Sequence, residues 1–232
     1  METSGSKEPV LYGEQLAGEW SEWVETPNPE GSREKELFPE VRSWLAQRRP
    51  TNVVDIGCGQ GILSTLVPSE IDYYGVDLSE PLIARAKKQY AAPRRSFESG
   101  DAYRLPFEAA TFDAAISFWV WSHLASPLRA AAEMSRVLKP HGSCLIITAN
   151  PETYDVRRGF YSRYEEKDGL IIGDFDLGDG RKLTNTTLYL HTIPDLYAAL
   201  KGAGLVIEET KRAGMLDEYP AGLYLIISAM KG

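Results

Sequence analysis

Val53-Val54-Asp55-Ile56-Gly57-Cys58-Gly59-Gln60-Gly61 decides how this 232-residue chain is read. A short apolar run ends in an acid and gives way to glycines at every second position. Such a run reads as a strand buried on both faces of a parallel sheet. The glycines let the backbone turn sharply beneath a ligand, where a side chain would fill the space or forbid positive φ. The pattern predicts a helix beginning after Gly61, its first N–H groups aimed at the same crevice. The spacing is Gly-x-Gly-x-Gly, so Ile62 stands where a dinucleotide fingerprint needs its third glycine. No Lys-Ser or Lys-Thr follows, which excludes the P-loop signature.

Upstream, residues 10–48 read as helical. Trp20, Trp23 and Val24 share one face before the breaker Thr26-Pro27-Asn28-Pro29, and Leu37, Val41, Trp44 and Leu45 share another before Arg49-Pro50. Downstream, apolar runs at 71–76, 112–117 and 143–148 alternate with helical stretches at 80–90 and 127–138. This alternation argues for an α/β protein with a parallel sheet covered on both faces. Residues 150–191 break the rhythm: Asp179-Gly180 signals a hairpin between 170–176 and 182–190. An excursion of that length inside a domain is usually functional. A helix at 193–203 and two apolar strands close the chain. The expected organisation is an N-terminal helical cap (1–49), a ligand-binding core (50–149), an inserted lid (150–191) and a C-terminal helix with a closing strand pair (192–232).

Composition narrows the function. Hydrophobic residues make up 43% and charged residues 25%, with mean hydropathy −0.28, which fits a soluble globular chain. No apolar run approaches the roughly 20 residues that cross a bilayer, and the polar residues 1–9 read as neither signal nor transit peptide. The net charge of −8 lowers the odds of a nucleic-acid substrate. The pairs Arg48-Arg49, Arg94-Arg95 and Arg157-Arg158 read as solvated charges at element ends. Two cysteines, Cys58 and Cys144, make neither a disulfide framework nor a metal-ligand spacing. A cytoplasmic monomer or homodimer without metal or membrane is expected.

Three further acids follow the glycine turn. Gly75-Val76-Asp77-Leu78-Ser79 places Asp77 at the next strand's end, 22 residues after Asp55 and positioned to accept from ribose hydroxyls. Ser79, before Pro81, already suits the N-cap of the following helix. Glu98-Ser99-Gly100-Asp101-Ala102 offers Asp101 to an exocyclic amine. Phe112-Asp113-Ala114-Ala115-Ile116-Ser117 is a strand that opens on an acid and ends in a small residue.

In this order and at these intervals the motifs resemble the class I S-adenosylmethionine-dependent methyltransferases, in their small-molecule branch of ubiquinone/menaquinone type. The resemblance covers about residues 50–150 closely, including Ala132-Glu133-Met134-Ser135-Arg136-Val137-Leu138-Lys139-Pro140-His141-Gly142, where His141 replaces the first of two usual glycines. It implies a Rossmann-like doubly wound sheet of seven strands, mostly parallel with the last antiparallel. It also implies S-adenosylmethionine as cofactor and S-adenosylhomocysteine as product. Asp55 and the Gly57, Gly59 and Gly61 backbone would cradle the methionine part. Asp77 and Leu78 would hold the ribose, Asp101 with Ala102 the adenine, and Ser117 and Phe118 would lie beneath the sulfonium. The specificity of this family resides in segments such as 1–49 and 150–191.

Methyl transfer from a sulfonium needs alignment and exclusion of water, and a base where the nucleophile keeps a proton. His123, six residues past Ser117, is the candidate base. The candidate acceptor pocket draws on Tyr12, Trp20, Trp119, Tyr154, Tyr161 and His191, an aromatic set suited to a ring or a cation. Arg33 reads as a surface charge with the option of pairing with the cofactor carboxylate. Three competitors remain: a cofactor-binding partner or sensor without turnover, a protein or RNA methyltransferase on the same fold, and a nicotinamide dehydrogenase. Ser117-Phe118-Trp119-Val120 lacks an Asn-Pro-Pro-Tyr-like tetrad, which weighs against amino methylation of nucleic acid.

Overall fold

Asn52–Ile56 (β1) is an inner strand, third in the order of a seven-stranded sheet, because alternate side chains on both of its faces find a core. Val53 packs with one apolar layer and Val54 and Ile56 with the other. The computed structural model describes residues 13–26, 28, 31–178, 180–215 and 220–232. Asp72–Asp77 (β2) and Arg95–Ser99 (β3) lie parallel on one side of β1, and Phe112–Phe118 (β4) and Leu138–Ala149 (β5) lie parallel on the other. The strand order reverses at β1, so a crevice opens at its carboxyl end between β2 and β4.

Helices cover both faces. Phe38–Arg48 (α2), led by a π-helical turn at Arg33–Leu37, buries Leu37, Val41, Trp44 and Leu45 on one face, together with Ile83 and Ala86 of Glu80–Tyr90 (α3). Pro127–Val137 (α4) and Ile193–Gly202 (α6) bury Met134, Val137, Leu196 and Leu200 on the other. Ser79 caps α3 as expected, its Oγ accepting from Leu82 N, and α6 opens on a capping box of Thr192 with Asp195. Leu205–Ala213 (β9) and Tyr224–Lys231 (β10) finish the sheet, with β10 antiparallel to both neighbours. The turn expected at His141 is instead part of β5: His141 takes the left-handed conformation (φ 63°) where the pairing of β5 with β4 shifts register.

Glu14–Glu25 (α1) lies across the crevice, and the excursion after β5 returns toward it. The short helix Tyr154–Arg158 (α5) leads into Tyr161–Lys167 (β6), Leu170–Asp176 (β7) and Lys182–Tyr189 (β8). The expected β7–β8 hairpin is present, and β6 extends it to a three-stranded antiparallel sheet. One expectation fails at the turn below. After Gly61 the chain forms only a 3-10 turn at Ile62–Thr65, ended by Val67-Pro68, so no long helix points at the crevice.

The opposite end of the sheet is stitched by Asp113. Its carboxylate accepts from Thr51 N (2.8 Å) and Lys139 Nζ (2.6 Å), joining the entries of β1, β4 and β5. Partial burial alone would raise this carboxyl, but the Lys139 and Thr51 hydrogen bonds outweigh it and hold the pKa at about 2. The group is depressed relative to about 3.9 in the unfolded chain, so its stabilisation is present above pH ~4 and lost as pH falls through ~2. Asp113→Asn is expected to cost about 1–2 kcal/mol at neutral pH, after allowance for water screening. In urea denaturation the difference from the native chain should shrink as pH approaches 2; a constant difference would assign the effect to shape.

Candidate active site

The crevice floor is the turn after β1. Gly57 N and Cys58 N both donate to Val76 O (2.7 and 3.0 Å), which folds the chain back under β2. Gly57 takes φ +81°, and a Cβ there would stand 2.2 Å from Val120; Gly59 (φ +55°) would meet only the Trp20 indole nitrogen, at 3.3 Å. Gly57 is thus required twice, by conformation and by space. Gly61 is a packing glycine, backed against Phe97 away from the crevice.

Asp77 ties the floor to β2. One carboxylate oxygen accepts from Gly59 N (2.9 Å), the other from Ser79 N (2.8 Å). Burial raises its pKa and these amides lower it again, with burial dominant. Each oxygen keeps a further lone pair for a ligand. Asp55 is deeper: Tyr73 Oη donates to one oxygen (2.5 Å), and the other is buried with no partner. Burial, opposed by the Tyr73 bond and assisted by nearby Asp77, pushes its carboxyl up to about 7.

Two cavities meet over this floor. The inner one, about 870 Å³ with its mouth, runs from Gly57, Gly59, Asp77 and Leu78 past Asp101 and Ala102 to Phe118. The outer one, about 720 Å³ with its mouth, lies between α1, β10 and the small sheet. Trp20, Trp119 and His123 line both. Trp20 Nε1 donates to Gln60 Oε1 (3.1 Å), docking α1 onto the glycine turn. Trp119 stacks between Trp23 (5.4 Å, 25°) and Tyr224 (5.7 Å, 24°). It does so from a left-handed backbone (φ 62°), a strained state for an aromatic residue that recurs at functional sites. The small sheet is fastened to α1 where Glu19 accepts from Thr184 N (3.0 Å) and Thr184 Oγ (3.1 Å).

His123 sits where the cavities join. Its enclosure, and then the nearby Arg157 charge, hold its pKa below the usual imidazole value against a hydrogen bond to the Thr187 backbone. The ring is therefore neutral, the form that accepts a proton. Cys58 and Cys144 offer no nucleophile, since burial pushes the first thiol well up and the second to about 12.

Of the residues singled out from the sequence, Asp55, Gly57, Gly59, Asp77, Leu78, Asp101, Ala102, Phe118, Trp20, Trp119, His123 and Tyr161 all reach these cavities or the recess beside them. Ser117 does not: it is fully buried and donates to Ile56 O (3.0 Å), pinning β4 to β1. Tyr154 packs in the small core with Ile171 and Leu188, and His191 bonds Leu124 O (2.7 Å) beside Tyr189. Tyr12 lies outside the described residues. Arg33 is buried, not on the surface; it lies over Trp23 and Phe38, pairs with Glu34 and lines the recess with Asp55. Arg157 and Tyr224 were missed, the first because it was read with Arg158 as a solvated pair.

The floor's asymmetry is measurable. Gly57→Ala should cost about 2–4 kcal/mol, from positive φ and overpacking against Val120. Gly59→Ala should cost about 1–2 kcal/mol, from conformation alone. Equal midpoints for the two variants in urea denaturation would contradict the close approach of Val120.

Comparison with known proteins agrees with this geometry. Residues 54–146 match the family described as a methyltransferase domain. A demethylmenaquinone methyltransferase from Symbiobacterium thermophilum is 29% identical over 157 residues, 62% of this chain and 56% of that protein. The chain likewise spans only part of the other curated relatives it matches, 30% and 65% of two of them. Among solved structures, the PH0226 protein of Pyrococcus horikoshii OT3 superposes with a TM-score of 0.69 at 20% identity, covering 91% of this chain and 99% of that one. An S-adenosylmethionine-dependent methyltransferase from Mesorhizobium loti gives 0.60 at 21%, covering 83% and 99%. The domain match falls on the strands that build the crevice, and together with these relatives and the shared fold it supports a class I S-adenosylmethionine-dependent methyltransferase.

Proposed function

We propose that this chain transfers the methyl group of S-adenosylmethionine to a small-molecule acceptor held between α1 and the small sheet, with residues 14–48 as cap and 150–191 as lid. The observation that carries the reading is the junction of two cavities at Trp20, Trp119 and His123. The inner cavity fits the cofactor on its own evidence. Asp55 keeps a buried oxygen without a partner, Arg33 lies in the same recess, and Gly57 and Gly59 line the cavity with backbone alone. Asp55 and Arg33 would hold the charged methionine end, Asp77 the ribose hydroxyls, and Asp101 with Ala102 the adenine. The free, buried Cys58 and Cys144 suit a reducing, cytoplasmic setting. Among the described residues no helix is long and apolar enough to cross a membrane.

Bound cofactor supplies a methyl group on an already activated leaving group. The protein's share is alignment and dryness: the Trp23, Trp119 and Tyr224 rings wall the outer cavity, and the Glu19–Thr184 bonds hold the lid against the cap. Where the acceptor keeps a proton on its reacting atom, neutral His123 receives it.

Asp77→Ala is expected to weaken S-adenosylhomocysteine binding by about 1–3 kcal/mol, the effect of leaving ribose hydroxyls poorly paired. Unchanged calorimetric affinity in a folded variant would remove Asp77 from the site. The His123 reading is checked by pH. The imidazole is lowered below its ordinary ~6.5, so the base form prevails above that lowered value and transfer should fall only as pH drops through it. Saturating cofactor keeps Asp55, near 7, out of the profile. His123→Gln should lower turnover about 10²-fold or more and flatten the acid limb, with S-adenosylhomocysteine affinity intact; a native profile in that variant would exclude His123 as base.

A further inference from the structure

Arg157, on α5, lines the outer cavity and is 9% exposed. Its Nη2 donates to Leu223 O, and the guanidinium lies over the Tyr224 ring, 5.4 Å from its centre. Its Nε is buried without a partner. Among the described residues no carboxylate pairs with it, whereas its neighbour Arg158 pairs with Asp155 and Glu166 (2.7 Å to the latter). The groups that favour its charge are the tyrosines 224, 154 and 161, none of them ionised at neutral pH, and burial lowers its pKa. An arginine nevertheless stays charged. Leu223 O does not depend on it either, since Asn150 N also donates there (2.9 Å).

A buried cation without a counter-ion is costly, so a fold that keeps one has its partner elsewhere. Of the described residues lining the outer cavity, Arg157 is the one permanently charged side chain, and the rest are mostly rings and aliphatic groups. Arg157 does not line the inner cavity, whereas His123 lines both. An anion paired with Arg157 would therefore sit on the α5 side of the outer cavity and not in the inner one.

We infer that the acceptor is a ring-bearing carboxylate: its carboxylate is anchored by Arg157, its ring lies among the aromatic walls, and its reacting atom is at the His123 end. The inference rests on reading the outer cavity as the acceptor site. The carboxylate is thus a handle, and the nucleophile is a separate group of the same molecule.

The test titrates the full chain with two matched probes, 6-hydroxy-2-naphthoate and its methyl ester, in saturating S-adenosylhomocysteine. The acid should bind about tenfold or more tighter than the ester. Arg157→Met should abolish that preference while leaving ester and S-adenosylhomocysteine affinities unchanged, and Arg157→Lys should restore part of it. Failure of the acid to bind, equal binding of acid and ester, or a preference that survives Arg157→Met overturns the inference. Melting temperature gives a second readout. A charge kept for a ligand predicts that Arg157→Met melts at or above the native temperature without ligand. A clear drop in melting, with both probes weakened alike, makes Arg157 structural and overturns it. If the acid preference holds but S-adenosylhomocysteine does not bind, the methyl-transfer reading falls while the anion site stands.

Discussion

The two backbone amides that converge on Asp77, from Gly59 and Ser79, hold the rest of the site in place. One comes from the turn after β1 and the other from the start of α3, so a single carboxylate fixes both walls of the inner cavity. Buried acids are tolerated when N–H groups meet them, and here the same bonds that satisfy Asp77 set the curvature of the glycine turn. Gly57 can then pass beneath Val120, and Trp20 reaches Gln60 to bring the cap down. A change at Asp77 therefore reaches the cap through the turn as well as through any ligand.

The outer cavity is built on a different principle. Its rigidity comes from stacked rings that bridge three separate parts of the chain, with Trp23 from the cap, Trp119 after β4 and Tyr224 on β10. Rings give large contact area with few rotatable bonds, so a wall contributed by distant segments still has a defined shape. Trp119 is held there by a left-handed backbone that glycine would adopt more easily, which sets the indole's position above local comfort.

The core was legible because its physics is local. A two-sided apolar strand, an acid at its end and glycines in the turn appear together in nine consecutive residues. Ser79 caps α3, as the sequence placed it. What escaped depended on tertiary context. β6 has exposed residues along almost its whole length, an edge strand whose charge hides it from any periodicity. Ser117 faces a neighbouring strand's carbonyl, which its own strand does not reveal. Arg157 and Arg158 are adjacent and chemically alike, yet the turn of α5 sends one into the cavity and the other to two surface acids. Arg33 was hidden for the same reason, since its cover is the aromatic surface of Trp23 and Phe38.

The wall shared by the two cavities has a thermodynamic consequence. Trp20, Trp119 and His123 line both cavities, so a shift in these rings made to suit a ligand in one would be felt by a ligand in the other. Two such binding free energies would be coupled, and linkage makes any coupling reciprocal: whatever factor one ligand applied to its neighbour's dissociation constant, it would receive back unchanged. A common partition of this kind would make two ligands cooperative without a moving domain or a second subunit.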